Sequence, residues 1–266
     1  MKNRSLFAID IDGTLLRPDY SIGPLTKSVL KDLVEEGHVV LLASGRPVRS
    51  LLPYYKALGL KGPIVCYNGA YLGQPEHPLC FPTIDPCLSK EEIVSIISPY
   101  LDQLDFFMGE SHQKMTSNKE DIFLGKYFPL AGMERVISPA LSELPEKMKI
   151  FIFSSKEEVA KQIEESLSAY PQYSFHSWRN VPYYEIVLTG ATKGDALRQV
   201  AAYYGIHKED IYAFGDSEND LTLLQEAGHP FAMKGCKSTL LQKTFPLTEK
   251  GNDQDGVAFE ITKLLS

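Results

Sequence analysis

The sequence predicts an α/β protein, with a Rossmann-like, doubly wound parallel sheet as its core and an α+β domain inserted into it. Short apolar runs of strand length alternate with amphipathic helices near both ends of the 266-residue chain. These runs end in polar residues, whereas the middle of the chain follows a different pattern that is rich in hairpins. Strands this apolar need cover on both faces, which parallel sheets receive from the helices that connect their strands.

The first part of the chain has a strand–helix–strand pattern. Leu25, Val29 and Leu33 recur every four residues, which predicts an amphipathic helix that ends at Gly37. Three apolar runs predict buried strands that each end at a polar residue: 6–9 before Asp10, 39–43 before Ser44 and 64–67 before Asn68. The helical connections between these strands indicate parallel pairing.

The same pattern returns after residue 190. Thr192 is expected to cap a helix over residues 193–204 that ends at Gly205. Residues 211–214 then form another apolar strand, which ends beside Asp216. This part of the chain is therefore expected to complete the sheet that the first part begins.

The region between these two parts is predicted to be a separate domain. Its first residues are rich in proline, which indicates a linker over residues 78–87. Beyond it, the expected elements are helices around 91–101 and 157–170, hairpin-like runs at 104–108 and 114–117, and strands at 148–153, 173–178 and 183–188. We predict a core of residues 1–82 and 188–266 with an α+β insertion at 83–187.

Composition and charge exclude several classes of protein. The 27 Lys and Arg residues against 34 Asp and Glu give a net charge of −7, which argues against nucleic-acid binding. No apolar run reaches the roughly 20 residues of a membrane helix, and Asp10 comes too early for a signal peptide. The 4 cysteines lack metal-site spacing. These features predict a soluble, acidic protein of the reducing cytoplasm.

The segment Asp-Ile-Asp-Gly-Thr at 10–14 carries the most chemical information. Side chains alternate in extended chain, so Asp10 and Asp12 are expected to point the same way, and Gly13 permits a sharp turn. Two carboxylates in a small site repel each other, which raises one pKa unless a divalent cation holds both groups ionised. One can then serve as a nucleophile or metal ligand and the other as a general acid. The alternative is a turn with solvated carboxylates.

Other strand ends offer groups that suit a phosphate. The segment Ser-Gly-Arg-Pro at 44–47 combines a hydroxyl with backbone N–H groups, although Ser44 also suits the cap of the next helix. Asn68 and Gly69 also fit an ordinary turn. Lys193 begins a helix, where a positive charge is unfavourable. This position invites a functional explanation, and the alternative is an ordinary solvated lysine.

A second acidic cluster, Gly-Asp-Ser-Glu-Asn-Asp, occupies residues 215–220. Asp216 and Asp10 together offer the hard oxygen ligands that Mg²⁺ prefers. Asp220 also suits an approximate capping box with Ser217. The 6 histidines show no ligand spacing, and neither a dinucleotide-binding nor a P-loop motif occurs.

Taken together, these motifs resemble those of the haloacid dehalogenase superfamily of phosphohydrolases, in particular the Cof-type branch with a large α/β (type II) cap. The motifs that carry the resemblance are, in chain order, residues 10–16 (DIDGTLL), 43–47 (ASGRP), 68–70 (NGA), Lys193-Gly194, 215–220 (GDSEND) and 255–258 (DGVA). Ser217 stands where the family often has a second glycine. The insertion lies where this branch carries its cap, which selects the substrate.

The resemblance implies a phosphatase acting on small phosphorylated metabolites. Asp10 would attack phosphorus to form an aspartyl-phosphate, and Asp12 would protonate the leaving group and then activate water. The implied Mg²⁺ ligands are Asp10, the Asp12 carbonyl and Asp216, with Asp220 as a ligand or in the outer shell. The implied phosphate and substrate contacts are Ser44, Gly45, Lys193 and Asn219, with Asn68 and Arg46 for the substrate or for loop structure. Lys193 would also restrain Asp10.

Substrate identity and competing functions stay open at this stage. Sugar phosphates, nucleotides and phosphorylated cofactors all fit, and the expected cap contacts are Glu110, His112, Trp178, Arg179, Tyr183 and Glu185. A phosphomutase of the same superfamily is one alternative, and a catalytically silent ligand-binding protein is another. Because every expected catalytic position is filled, the silent protein is disfavoured. No sequence feature distinguishes an oligomer face from ordinary surface.

Overall fold

The structure is a computed structural model that describes residues 4–75, 81–178 and 181–265. In the first part of the chain the elements are β1 (Leu6–Asp10), α1 (Pro24–Glu35), β2 (Val39–Ala43), α2 (Val48–Ala57), β3 (Ile64–Cys66) and β4 (Tyr71–Gly73). The three apolar runs all form strands, as predicted. The third run stops at Cys66 because the backbone of Tyr67 and Asn68 turns into the left-handed region, with φ of 49° and 56°.

The middle of the chain contains eight short strands and three helices among its described residues. They are β5 (Leu88–Ser89), α3 (Lys90–Ile97), β6 (Leu104–Glu110), β7 (Lys114–Ser117), α4 (Ile122–Gly125), β8 (Glu134–Ile137), β9 (Lys147–Met148), β10 (Ile150–Ser155), α5 (Glu157–Ser166), β11 (Tyr173–Ser177) and β12 (Tyr183–Leu188). The first predicted helix is shorter than expected, since a tighter helical turn with Pro99 near its start replaces it from Ser98.

The last part of the chain returns to helices and strands of the first kind. They are α6 (Lys193–Tyr204), β13 (Ile211–Gly215), α7 (Leu221–Gln225), β14 (His229–Ala232), α8 (Thr239–Thr244) and α9 (Gly256–Leu265). The predicted ends of α6 are confirmed. The Thr192 hydroxyl accepts a hydrogen bond from the Asp195 N–H at 3.1 Å, and Gly205 ends the helix with a φ of 64°.

The chain divides into two compact units. Residues 1–46, 51–84 and 192–266 form the first, and residues 47–50 and 85–191 form the second. The first unit therefore continues beyond the residue 82 expected from the sequence, because Leu72 and Ile84 form a β-bridge. The part of the expected linker at 76–80 lies outside the described residues. Within the described ranges, no helix is both long and apolar enough to span a membrane.

A six-stranded sheet forms the centre of the first unit, in the order β14-β13-β1-β2-β3-β4. All neighbouring strands are parallel except β3 and β4. The strand β1 lies between β13 and β2, and its residues Leu6 to Ile9 are fully buried. The predicted α/β class with a parallel sheet is therefore confirmed. Since parallel strands end at the same edge, the residues after β1, β2 and β13 are brought together.

The second unit has its own sheet, in the order β11-β12-β10-β6-β7-β8. Its neighbouring strands are antiparallel except for β7 and β8, and the predicted hairpin of β6 and β7 is confirmed. One face carries Phe107, Phe151, Phe153 and Ile186, which pack against the buried side of α3 and α5. This apolar core belongs to the second unit alone.

Candidate active site

Lys193 joins two carboxylates that follow neighbouring strands, β1 and β13, at the same edge of the first unit's sheet. Its ammonium donates to Asp10 Oδ1 at 2.6 Å and to Asp220 Oδ1 at 2.6 Å. Lys193 is 1% exposed and Asp10 is 4% exposed. Burial alone lowers the pKa of Lys193, but the two carboxylates more than offset this and raise the pKa above its ordinary value. Lys193 is therefore held as a cation.

The acidic residues themselves lie close enough for a metal ion. Oxygen atoms of Asp10, Asp216 and Asp220 lie within 4.8 Å of one another. Burial, followed by the charge of Asp220, raises the pKa of Asp216 to about 7, and the same two causes, in that order, raise the pKa of Asp10. Asp10 Oδ2 is buried and has no hydrogen-bond partner among the described residues. This arrangement favours a cation beside Asp10 and Asp216.

Asp220 differs from the other two carboxylates in its hydrogen bonds. Its Oδ1 accepts from Lys193, and its Oδ2 accepts from the backbone N–H groups of Asp216 and Ser217 at 3.0 and 3.1 Å. Both oxygens therefore have protein donors, and they fix the loop that presents Asp216. The capping interaction with Ser217 that the sequence predicts is confirmed.

The turn after β1 brings Asp12 to the same edge of the sheet. Gly13 has a φ of +82°, and a Cβ built on it would lie 2.4 Å from Asp216 Oδ2. Glycine is needed at this position both for the left-handed backbone and for the close approach of Asp216. The turn is therefore packed directly against the end of β13.

Arg46 binds Asp12 through a two-pronged ion pair. Its Nε donates to Asp12 Oδ2 at 2.7 Å, and its NH2 group donates to Asp12 Oδ1 at 2.5 Å. The guanidinium also lies over the rings of Tyr20 and Tyr54, at 5.5 and 5.9 Å from their centroids. The sequence suggests a substrate or loop role for Arg46. In the structure, its side chain holds the orientation of Asp12.

Hydrogen bonds and one close contact link the loops after β2, β3 and β13. The residues involved include Ser44, Gly45, Asn68 and Asn219. The Ser44 hydroxyl accepts from the Arg46 N–H at 3.1 Å, and the Ser44 carbonyl accepts from the Asn68 N–H at 3.0 Å. The Asn68 carbonyl oxygen Oδ1 then accepts from Asn219 Nδ2 at 2.9 Å. A Cβ on Gly45 would lie 3.0 Å from the same Oδ1, so the Asn68 side chain lies against that glycine. The loops after β2, β3 and β13 are thus linked.

The residues expected to contact a substrate in the inserted domain all have partners within the second unit, so far as they are described. The pairs are Glu110 with Arg49 at 2.8 and 2.6 Å, His112 with Asp85 at 2.9 Å, Trp178 with Glu185 at 2.8 Å, and Tyr183 with Asp121 at 2.5 Å. Arg179 lies outside the described residues.

The second unit also contains a cavity of about 340 Å³, which opens between β6, β7 and the segment 119–130. That volume suits a small molecule.

Comparison with known proteins identifies the family. The model of the haloacid dehalogenase-like hydrolases matches residues 7–261. The chain belongs to this family. It is 30% identical over 258 residues to a 5-amino-6-(5-phospho-D-ribitylamino)uracil phosphatase of Bacillus subtilis, an alignment that covers 95% of this chain and 94% of the relative. It is 29% identical over 236 residues to an HMP-PP phosphatase of Serratia proteamaculans, covering 86% of this chain and 83% of that protein.

The fold of this haloacid dehalogenase-like hydrolase agrees with that of solved structures. A haloacid dehalogenase-like hydrolase from Bacteroides thetaiotaomicron superposes with a TM-score of 0.83 and 23% identity, covering 98% of this chain and all of the other. The predicted family, the α/β fold and the hydrolase class are confirmed.

Two buried polar side chains of this hydrolase are not among the site residues that the sequence predicts. Thr14 lies within the first motif and has a buried hydroxyl without a partner among the described residues. Its place directly after Gly13 was the available signal. Asp255 is buried and binds Arg17 and Thr26, far from it in sequence. Residues 255–258 resemble a family motif, and this resemblance marks Asp255 in the sequence without giving it a role.

Proposed function

We propose that this hydrolase is a Mg²⁺-dependent phosphatase that cleaves small phosphorylated metabolites through an aspartyl-phosphate. The observation that carries the proposal is the environment of Asp10. One of its oxygens is fixed by Lys193, while the other is buried without a partner among the described residues. A buried carboxylate of this kind suits attack on an electrophile that arrives with the substrate.

In the first step, an Asp10 oxygen attacks phosphorus and forms an O–P bond as the bond to the leaving oxygen breaks. Asp12 gives its proton to that leaving oxygen, and the alcohol departs. In the second step, Asp12 takes a proton from water, and the resulting hydroxide attacks the phosphoryl group. Inorganic phosphate is released and the Asp10 carboxylate is restored. The ion pair with Arg46 orients Asp12 while it is ionised, and one of its two hydrogen bonds opens when that oxygen of Asp12 carries the proton.

The residues present fit a magnesium ion. We assign Asp10, the backbone carbonyl of Asp12 and Asp216 as its protein ligands, with Asp220 in the outer shell because both of its oxygens already accept protein N–H groups. The raised pKa values of Asp10 and Asp216 support this assignment, since burial and the charge of Asp220 outweigh the stabilisation that Lys193 gives to both carboxylates. When bound, the ion would neutralise charge on the phosphoryl oxygens.

The remaining residues are assigned to the phosphoryl group and the substrate. Lys193 uses two of its three ammonium N–H groups on Asp10 and Asp220, which leaves the third for a phosphoryl oxygen. Ser44 and the Gly45 N–H complete the cradle at the end of β2. Asn219 and Asn68, which are bonded to each other, hold the loop that faces it.

The names of the two relatives guide the choice of substrate. They describe phosphatases of two different compounds, which supports a small phosphorylated metabolite as the substrate class. Free thiols at Cys66, Cys87 and Cys236 support a reducing cytoplasmic setting.

The test is the release of p-nitrophenol from p-nitrophenyl phosphate, with Mg²⁺ and with a chelator. We expect activity only with Mg²⁺ and its loss in Asp10→Asn, whereas Asp253→Asn, at an exposed carboxylate, should behave as wild type. Activity that survives Asp10→Asn would show that the nucleophile is wrong. Analysis of products from a sugar phosphate separates the phosphomutase, which gives an isomerised phosphosugar, from the hydrolase, which gives free phosphate.

A further inference from the structure

Asp255 is a buried carboxylate in the first unit that the proposed reaction does not use. Its backbone is left-handed, with φ of 56° and ψ of 40°, a conformation that non-glycine residues seldom adopt. Its Oδ1 accepts from the Thr26 hydroxyl at 2.8 Å, and its Oδ2 accepts from the Arg17 guanidinium at 2.8 Å. A buried charge in an unfavourable backbone conformation persists only where hydrogen bonds and packing around it stabilise both the charge and the conformation.

The contacts around Asp255 come mainly from the loop of residues 16–23. This loop leads directly from the turn that carries Asp12 to helix α1. Asn252, three residues before Asp255, donates from Nδ2 to the Leu16 carbonyl at 2.6 Å. At the other end of the loop, a Cβ on Gly23 would lie 1.6 Å from Asp255 Oδ1, so the carboxylate occupies the space that this glycine leaves. The segment 252–255 therefore holds both ends of the loop.

The loop presents Tyr20 to the partner of Asp12. It is closed by hydrogen bonds from the Arg17 N–H to the Ser21 carbonyl and from the Tyr20 N–H to the Arg17 carbonyl, at 3.0 and 2.9 Å. Tyr20 has a φ of 64°, and its ring lies under the Arg46 guanidinium at 5.5 Å. Arg46 in turn holds both oxygens of Asp12.

We propose that Asp255 is a positioning residue for Asp12, acting through the loop of residues 16–23 and Arg46. The inference rests on the proposed role of Asp12 as the acid that protonates the leaving group. A misplaced acid penalises a strongly basic leaving group, such as an alkoxide, much more than p-nitrophenolate, which departs without protonation. The ratio of kcat/KM for an alkyl phosphate to that for p-nitrophenyl phosphate therefore reports the position of Asp12.

The experiment compares glycerol 2-phosphate with p-nitrophenyl phosphate in the Asp255→Asn variant of the full chain. Asparagine keeps the shape of the side chain and tolerates the left-handed backbone, so this change removes the charge and replaces one of the two acceptor oxygens by an NH2 donor. We expect kcat/KM to fall about tenfold or more for the alkyl ester and less than about threefold for the aryl ester. Asp253→Asn, which removes an exposed charge from the same segment, 252–255, should leave both values unchanged.

An Asp255→Asn enzyme with the same ratio as Asp253→Asn overturns the inference. If circular dichroism shows that Asp255→Asn fails to fold, Tyr20→Ala decides instead, because this side chain is 45% exposed and contributes little to the core. A lowered ratio in Tyr20→Ala supports the path from the loop to Arg46, and an unchanged ratio overturns it. A wild-type chain that cleaves neither ester contradicts the proposed function, and the inference falls with it.

Discussion

At the scale of single residues, the site depends on the balance of charge around Lys193. A cation at the start of a helix is unfavourable by itself, because it meets the positive end of the helix dipole. Asp10 and Asp220 reverse that effect, since each accepts a hydrogen bond from the ammonium group at 2.6 Å. The lysine likewise permits two carboxylates to be buried side by side. Each of the three charges is stable only in the presence of the others.

Replacing Lys193 by methionine should therefore affect both stability and activity. The change leaves Asp10 and Asp220 buried without their cation, and we expect the free energy of unfolding to fall by about 3–5 kcal/mol, together with loss of turnover. Urea denaturation followed by circular dichroism measures the first effect. Lys161→Met is the control, because that lysine pairs with Glu157 on the exposed surface, where solvent screens the pair, and its loss should leave the free energy of unfolding nearly unchanged. Equal losses in the two variants would contradict this account.

At the scale of elements, the turn between β1 and α1 determines where Asp10 and Asp12 lie. The strand β1 delivers Asp10 to the sheet edge, and the turn brings the chain back so tightly that Gly13 contacts Asp216 at the end of β13. A side chain at residue 13 would have to displace that carboxylate. The tight turn is therefore as necessary to the geometry of the candidate metal site as the charged side chains are.

Gly13→Ala tests the role of the turn against Gly37→Ala. Both glycines have left-handed backbones, with φ of +82° and +88°, but only a Cβ at residue 13 would have close neighbours, since nothing lies within 4 Å of one at residue 37. Both variants should lose about 1 kcal/mol of stability from backbone strain. We expect only Gly13→Ala to weaken Mg²⁺ binding, by about tenfold or more, in a calorimetric titration. Equal affinities in the two variants would show that the close approach is irrelevant to the metal.

The strand ends and the polar residues that follow them could be predicted, because the length of each apolar run in the sequence determines where the strand stops. Asp10, Ser44 and Asp216 lie at one edge for the reason given by the sequence pattern, namely that parallel strands end together. The strands β8 and β14 could not be predicted, because they are short and mostly only partly buried, and so lack an apolar run. Neither could the pairing of Arg46 with Asp12, which depends on the exact path of two loops.

At the scale of the whole molecule, the acidic site should make stability depend on pH and on metal. Without metal, burial and Asp220 raise the pKa of Asp216 from 3.8 to about 7 in the folded chain. Between these two values the folded state binds more protons than the unfolded state, so this group stabilises the protein at low pH. That contribution is lost as the pH rises towards and through about 7.

We therefore expect the metal-free wild type to lose stability between about pH 4 and pH 7 relative to the Asp216→Asn variant, by on the order of 4 kcal/mol. The measurement is thermal unfolding of both proteins in chelator across this range. Saturating Mg²⁺ should raise the midpoint of the wild type at pH 8 and have little effect on the variant. Parallel pH profiles for the two proteins would contradict the raised pKa.

The sheet order places β1 between β2 and β13, and this has a consequence for the chain as it leaves the ribosome. One edge of β1 can pair as soon as Val39 has been made, but its other partner begins only at Ile211. At about 5–20 residues per second, the second edge waits roughly 10–40 seconds, while the inserted domain is translated. Throughout that interval an apolar strand has an open edge that can pair with another nascent chain. Slow translation therefore lengthens the interval in which this edge of β1 can pair with another chain.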